Sequence, residues 1–179
     1  SAKRYLSANH ALSILFSANL GGIADYVSMD GDGFSLEWAA TRPFDGGVHC
    51  LCLSGIDTAI GSFVRPPTAK ALRYTDLGVN PVALLLASVG QIVSSVETAE
   101  CQAAVGVANP QGQQSVWTGV ADGVSPTVTG EGFSTSTLIT AATPPGTLVS
   151  SAQVTNFTTD AFDLQWDQAD AVAREHLYI

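Results

Sequence analysis

Two stretches of the chain share one pattern, Asp32-Gly33-Phe34-Ser35-Leu36-Glu37-Trp38 and Asp160-Ala161-Phe162-Asp163-Leu164-Gln165-Trp166. Identical Asp, Phe, Leu and Trp residues recur in them at a constant offset of 128 residues, as from Trp38 to Trp166. Residues at i, i+2 and i+4 of a β-strand lie on one face. Each stretch therefore predicts a strand that buries three large apolar side chains. The predicted core signature is Phe34, Leu36 and Trp38 in the first copy and Phe162, Leu164 and Trp166 in the second.

The similarity extends beyond these strands and predicts an internal repeat of about 128 residues. Ala24 corresponds to Ala152 at the same offset, and His49 corresponds to His176 at an offset of 127. The chain of 179 residues holds more than one such period but fewer than two. We therefore expect either a fragment of a longer tandem protein, or a partial unit that another element completes.

The domain boundaries follow from the repeat. The stretch Arg65-Pro66-Pro67-Thr68-Ala69-Lys70 contains consecutive prolines, which cannot donate hydrogen bonds to a strand ladder. Residues 65–70 are therefore predicted to be a linker. We expect residues 1–64 to form a partial β-sandwich unit, matching the second part of the repeat, and residues 71–179 to form a nearly complete unit.

The fold class is predicted to be all-β, with a β-sandwich or jelly-roll arrangement. Short runs rich in β-branched and aromatic residues alternate with Gly-Gly, Asp-Gly, Pro-Pro and Asn-Pro dipeptides, which are typical of turns. The segment Gln168–Arg174 is the only helical candidate. The predicted strands are Ala11–Ser17, Ala24–Met29, Phe34–Trp38, Val48–Leu53, Ala71–Tyr74, Val82–Ala87, Ala103–Ala108, Ser115–Ala121, Thr137–Ala142, Gln153–Thr158, Phe162–Trp166 and His176–Ile179.

The composition excludes several classes of protein. Seven Lys and Arg against 16 Asp and Glu give a net charge of −9, which is unsuited to contact with phosphates. Hydrophobic residues make up 46% of the chain, but no apolar run approaches the ~18 residues of a membrane-spanning helix. No signal peptide is recognisable. We expect no nucleic acid partner and no membrane span.

The cysteines and histidines do not predict catalysis. An odd number of cysteines argues against a closed disulfide framework. Cys50 and Cys52 are two residues apart in an apolar segment and are expected to be buried thiols. His49 and His176 are equivalent in the repeat, which favours a shared structural role, and no histidine, His10 included, lies beside a nucleophile motif. The chain is predicted to be no enzyme and to carry no cofactor.

Two features leave alternatives open. Asp30 and Asp32 lie in an Asp-Gly-Asp-Gly sequence that indicates a β-turn, or a weak site for Ca²⁺, which prefers oxygen ligands. As the acid pair of a glycosidase they would lack the opposed geometry that such an enzyme needs. Trp117 is either an ordinary buried tryptophan or an exposed ring that stacks against a sugar.

One further stretch carries a resemblance to a known class of protein. The sequence Asp76-Leu77-Gly78-Val79-Asn80-Pro81-Val82-Ala83-Leu84-Leu85-Leu86, followed downstream by residues 160–166, resembles the β-sandwich virion structural proteins of tailed bacteriophages. Two positions differ from those proteins. Val79 stands where they have an aromatic residue after the glycine, and Ala161 stands where they have the glycine of an Asp-Gly-Phe-x-Leu-x-Trp strand. The resemblance implies a capsid decoration, tail or fibre component on the particle exterior. Its partners would be other virion proteins and copies of itself, in a homo-oligomer. The alternative is a lectin-like β-sandwich that binds host glycans.

Overall fold

The computed structural model describes residues 2–3, 11–16, 19–41, 55–91, 97–98, 100–121, 128–143, 146–172 and 174–179. Across these ranges the regular structure consists of β-strands in four sheets, without a helix. The predicted all-β class is confirmed. The chain divides into two compact units, the first mainly Lys3–Ile56 with Val93–Glu97, and the second mainly Asp57–Ile92 with Thr98–Ile179.

The second unit contains a six-stranded antiparallel sheet. Along each of its long strands, side chains alternate between a buried inner face and an exposed outer face, as the period of two requires. From edge to edge its strands are β11 (Thr129–Ser134), β10 (Gly112–Ala121), β9 (Glu100–Asn109), β7 (Leu84–Gln91), β15 (Arg174–Tyr178) and β5 (Gly61–Val64).

A four-stranded antiparallel sheet completes the second unit. Its order is β12 (Ile139–Thr143), β13 (Thr147–Thr158), β14 (Ala161–Gln168) and β6 (Ala71–Tyr74). Gly106 of β9 lets the two sheets approach each other closely, because the carbonyl group of Leu138 occupies the space where a Cβ atom would lie.

The two sheets of the second unit bury one hydrophobic core between them. Phe162, Leu164 and Trp166 of β14 are completely buried, and Phe63 of β5 and Leu86 of β7 pack in the same cluster. Aromatic rings dominate the β5 end, where the Phe63 ring lies 6.3 Å from that of Phe162 and 6.5 Å from that of Trp166. Burial of such rings contributes strongly to the stability of a core, because each ring removes a large apolar area from water.

The first unit contains a three-stranded antiparallel sheet in the order β2 (Leu12–Phe16), β3 (Asn19–Met29) and β4 (Phe34–Thr41). The two-residue strands β1 (Ala2–Lys3) and β8 (Glu97–Thr98) pair with each other.

The pairing of β3 with β4 matches that of β13 with β14 residue by residue. Ala24 pairs with Trp38, and Ala152 pairs with Trp166, at the offset of 128 seen in the sequence. Each strand pair also contains two register shifts at equivalent positions, where an extra residue bends the strand. The shifts lie between Ile23 and Ala24 and between Tyr26 and Ser28 in the first pair, and between Ser151 and Ala152 and between Val154 and Asn156 in the second.

The segment 76–81, which carries part of the resemblance, is a loop that packs on the β13–β14 turn. Asp160 of that turn has a φ of 60°, and its carboxylate accepts a hydrogen bond from the backbone N–H of Gly78. The backbone N–H of Asp160 donates to Asn80 Oδ1 at 3.2 Å, and that of Leu77 donates to the Asp160 carbonyl at 3.4 Å. These residues therefore hold a turn in place.

The structure differs from the sequence prediction at several places. β5 was not predicted as a strand, and it pairs with β15, so the division between the units falls after Ile56 rather than after residue 64. The predicted linker 65–70 lies inside the second unit. β11 was also not predicted, because its Gly-Glu-Gly sequence lacks strand formers. Gln168 ends β14 and Arg174 begins β15, and the described residues between them form no helix. The predicted strand Val48–Leu53 lies outside the described residues.

Candidate functional site

The six core-signature residues have different environments in the two copies. Phe162, Leu164 and Trp166 have no exposed surface. Phe34 and Leu36 are half-buried, and 44% of Trp38 is exposed. The same strand pattern is therefore fully covered in the second unit and partly accessible in the first.

Asp30 and Asp32 flank the β3–β4 turn and are exposed. The carboxylate of Asp30 accepts hydrogen bonds from Ser28 Oγ at 3.1 Å and from Ser35 Oγ at 2.9 Å, and its backbone N–H donates to the Gly33 carbonyl at 2.9 Å. Asp30 thus stabilises the turn. No group of three or more potential metal ligands occurs in the part of the chain that the structure describes.

Trp117 of β10 lies on the inner side of its strand together with the buried Ser115 and Gly119. Its half-buried indole ring packs over Gly130 and Gly132 of β11, where added Cβ atoms would contact it at 3.2 and 2.6 Å. The glycines of β11 therefore make room for this ring. The packing favours a structural role for Trp117 over an exposed sugar-stacking platform.

A buried charged cluster connects the end of β5 to the loop before β15. Nη2 of Arg65 donates to the Asp170 carboxylate and, at 2.5 Å, to the Val172 carbonyl. Arg174 donates from Nη2 to Asp170 Oδ2 at 2.8 Å and from Nη1 to Gln102 Oε1 at 2.9 Å. Burial alone would raise the pKa of Asp170, but the hydrogen bonds and charges of Arg174 and Arg65 hold it below its ordinary value. The cluster therefore has a structural role, because it joins the end of β5 to the loop before β15.

His176 of β15 is completely buried between aromatic rings. Its ring centroid lies 5.4 Å from that of Phe63 and 5.5 Å from that of Trp166. Burial, reinforced by the positive charges of Arg65 and Arg174, lowers the pKa of His176 to about 3. Neither ring nitrogen has a hydrogen-bond partner among the described residues. The ring is neutral near pH 7 and serves as part of the core, which does not suit a general base.

His10, His49, Cys50 and Cys52 fall outside the described residues, and Cys101 lies on β9 with its side chain outside the description.

The outer face of the six-stranded sheet carries a continuous apolar row. Strand pairing places Phe133, Val116, Val105, Ala87 and Leu177 side by side across five adjacent strands. Phe133 is 77% exposed and Val116 is 57% exposed. A second row on the same face contains Gln114, Val107, Leu85 and Ile179. We call these nine residues the outer apolar face.

The outer apolar face contains no charged residue, although the chain has a net charge of −9. Charged side chains occur at its margin, at Glu131 and Glu175. A shallow hollow of about 170 Å³ lies between Val105, Val107 and Val116. An exposed apolar patch that spans five strands is typical of an interaction surface.

The sequence contains a signal for this face that the prediction missed. The run Ala103-Ala104-Val105-Gly106-Val107-Ala108 has no polar residue at either alternate set of positions. A strand with one face in water usually alternates apolar and polar residues, whereas a continuous apolar run is typical of a strand covered on both faces. The run therefore indicates that the outer side of β9 also needs a partner.

A groove beside the β9–β10 turn has a volume of about 630 Å³. Its walls include the amide side chains of Asn109, Gln111, Gln113 and Gln114, and no charged residue. Asn109 Oδ1 accepts the backbone N–H groups of Gln111 and Gly112 at 2.9 and 3.0 Å, so this side chain holds the turn. The groove offers neutral hydrogen-bonding groups above an aliphatic floor.

Comparison of the chain with protein-family models, with curated proteins and with solved structures gave no match. Among the described residues, no helix has the length and apolar character needed to cross a membrane.

Proposed function

We propose that this chain is a non-enzymatic structural protein that assembles with copies of itself through the outer apolar face. We further propose that it belongs to the exterior of a bacteriophage particle, as a capsid decoration or as a tail or fibre component. The exposed apolar row across five strands supports the assembly role, and the short sequence resemblance supports the phage assignment.

We also propose that the two sheets of the second unit form a β-sandwich and that the three-stranded sheet belongs to a second copy of the repeat. Support comes from the shared core between the sheets and from the matched registers and register shifts of β3–β4 and β13–β14. Proteins built of such units bury surface between neighbouring units.

The charge distribution favours a second copy as the partner on the outer apolar face. In a two-fold symmetric contact the same patch of both copies meets, so like charges on that patch would be brought close together. An acidic chain with an uncharged face avoids this repulsion. The two rows cover roughly 350 Å², estimated from strand spacing and residue rise. A stable standard interface buries about 800 Å² on each partner, so a single contact of this kind is weak and suits an assembly with several contacts.

A charged substitution within the row tests this contact. Val116→Arg should lower the association constant at least tenfold, since each copy would bury an unpaired guanidinium in an apolar interface. Sedimentation equilibrium of the wild-type and variant chains measures this. The matched control is Ala71→Arg, at an exposed position on the other sheet, which should leave association unchanged. A wild-type chain that stays monomeric at about 0.5 mM would contradict the proposal.

The phage assignment needs a separate test. Peptides of this chain should be detected by mass spectrometry among the proteins of purified particles released from the source culture. Their consistent absence from intact particles, in the presence of known coat proteins, would count against the virion role while leaving self-assembly standing.

Carbohydrate binding is the second candidate function. The site that supports it is the amide-lined groove beside the β9–β10 turn, rather than the ring of Trp117. Neutral amides on an uncharged wall suit the hydroxyl groups of a neutral glycan. A glycan array should show hits that are lost in Gln114→Ala and kept in Trp117→Phe. An array without hits would remove this alternative.

A further inference from the structure

Two amide side chains in the groove beside the β9–β10 turn have fixed orientations. Asn109 Oδ1 accepts the backbone N–H groups of Gln111 and Gly112 at 2.9 and 3.0 Å. Gln113 Oε1 accepts the backbone N–H group of Val154 at 2.8 Å. A backbone N–H group can only donate, so each amide must turn its oxygen toward that group and its NH₂ group away from it. Neither NH₂ group has a hydrogen-bond partner among the described residues, so both remain available as donors in the groove.

Aliphatic side chains form the floor of the same groove. Ala83, Leu85 and Val107 are among the residues that line it. Its volume of about 630 Å³ lies within the range of roughly 300–1,000 Å³ that is typical of small-ligand sites. The groove therefore combines fixed hydrogen-bond donors with an apolar surface. A ligand that fits both must carry an acceptor next to an apolar group.

The strands beneath the groove are all internal to the six-stranded sheet. β10 pairs with β11 and β9, β9 pairs with β10 and β7, and β7 pairs with β9 and β15. An extended peptide that joins a sheet does so through the unpaired backbone groups of an edge strand. Because the groove crosses strands that have no free edge, side chains rather than a backbone ladder must recognise its ligand. This favours a glycan over a peptide.

We propose that this groove binds a neutral glycan that carries acetamido groups, as an N-acetylated hexosamine does. This assignment rests on carbohydrate binding, the second candidate function, and specifies its ligand class. The carbonyl oxygen of an acetamido group accepts from the NH₂ group of Asn109 or Gln113, and its methyl group packs on the aliphatic floor. The hydroxyl groups of the sugar ring both donate and accept, which suits the side-chain amides of Gln111 and Gln114.

The charge of the chain argues against an acidic glycan in the same groove. Among the described residues no lysine or arginine lines it, and the chain has a net charge of −9. A carboxylate or sulfate group would lose water there without meeting a cation, and the field of the whole protein would repel it. A plain hexose is neutral, but it has a hydroxyl group in place of the acetamido group and no methyl group to cover the floor. An acetamido sugar satisfies the donors and the floor together.

Calorimetric titration with two tetrasaccharides tests this ligand class. A tetramer of N-acetylglucosamine and the tetramer of glucose with the same linkage differ only in the acetamido group. The acetamido tetramer should bind with a Kd lower by at least about tenfold, measured with ligand up to about 10 mM. In saturation-transfer NMR its acetyl methyl protons should receive the largest transfer from the protein. Leu85, Val107 and Gln114 also belong to the outer apolar face, so both measurements use a chain concentration at which sedimentation shows monomers.

Asn109→Asp is the decisive variant, because its carboxylate still accepts the two backbone N–H groups of the turn but replaces the NH₂ donor by an acceptor. It should raise the Kd for the acetamido tetramer by at least about tenfold. Gln113→Glu makes the same change at the second amide, and it decides the matter if Asn109→Asp does not fold by circular dichroism. Gln168→Glu is the matched control. It makes the same exchange at the exposed end of β14, in the other sheet, and should bind like wild type.

The other outcomes separate this inference from the proposed functions. Equal affinity for the two tetramers would overturn the acetamido ligand and leave carbohydrate binding standing. Failure of the acetamido tetramer to bind would also overturn it, and a glycan array without hits would then remove carbohydrate binding as well. An acetylated alanine peptide that binds as tightly as the acetamido tetramer would show that the ligand is a peptide. Unchanged affinity in both Asn109→Asp and Gln113→Glu would refute the groove as the site. None of these results bears on assembly through the outer apolar face, which Val116→Arg tests.

Discussion

Trp166→Ala should lower the free energy of unfolding of the second unit by about 3–5 kcal/mol. The Trp166 side chain is completely buried and packs against rings from β5 and β15, so its removal leaves a cavity that the two sheets cannot close. Urea denaturation followed by far-ultraviolet circular dichroism measures the loss, because tryptophan fluorescence would itself change. If Trp166→Ala does not fold, Trp166→Phe should show a smaller loss in the same direction.

Trp38→Ala is the matched control for this prediction. Trp38 occupies the equivalent strand position in the repeat, but 44% of its surface is exposed. At concentrations where the chain is monomeric, we expect a smaller loss, of about 1–2 kcal/mol. Equal losses in the two variants would show that the two strands have equivalent environments, contrary to the structure.

The second large effect is a pH dependence that originates at His176. Its folded-state pKa of about 3 lies below the ordinary value of 6.5, so the folded chain resists protonation that the unfolded chain accepts. The contribution to stability is therefore complete above about pH 6.5 and is lost progressively as the pH falls toward 3. Between pH 7 and pH 4.5 the wild-type chain should lose about 2–3 kcal/mol from this residue alone.

His176→Phe isolates this contribution. Phenylalanine has a similar shape, fits among Phe63 and Trp166, and removes two ring nitrogens that have no partner among the described residues. Other titrating groups are common to both proteins, including Asp170, whose lowered pKa makes its own contribution disappear in acid. The free energy of unfolding should thus fall less steeply with decreasing pH in His176→Phe. Parallel profiles for the two proteins would refute a buried neutral histidine.

Much of the architecture could be predicted from local pattern. β6 was predicted with its observed bounds, and most other described strands were located to within a few residues, because alternating apolar residues and turn dipeptides are local properties. β5 and β11 were missed because their strand conformation depends on contacts with other strands and not on a local sequence pattern. β5 is a strand because it pairs with β15, more than 100 residues later in the chain, and β11 is a glycine-containing strand stabilised by the ring of Trp117.

The candidate surfaces were harder to predict from the sequence. The outer apolar face draws its residues from β11, β10, β9, β7 and β15, and the order of these strands in the sheet is not their order in the chain. The continuous apolar run in β9 is the one sequence feature that indicated this face. The prediction instead emphasised Trp117 and the Asp30–Asp32 turn, whose hydrogen bonds and packing in the structure serve local folding.

The sequence by itself determined which faces of the two equivalent strands are apolar, since alternation along a strand depends only on the period of the backbone. It also contained the offset at which Trp38 and Trp166 correspond. Only the tertiary structure decided that Trp166 is covered and Trp38 is accessible, because burial depends on strands that pack from elsewhere in the chain. In the same way, the low pKa of His176 arises from burial in a core assembled from distant strands and from the charge of Arg65, so no local pattern could reveal it.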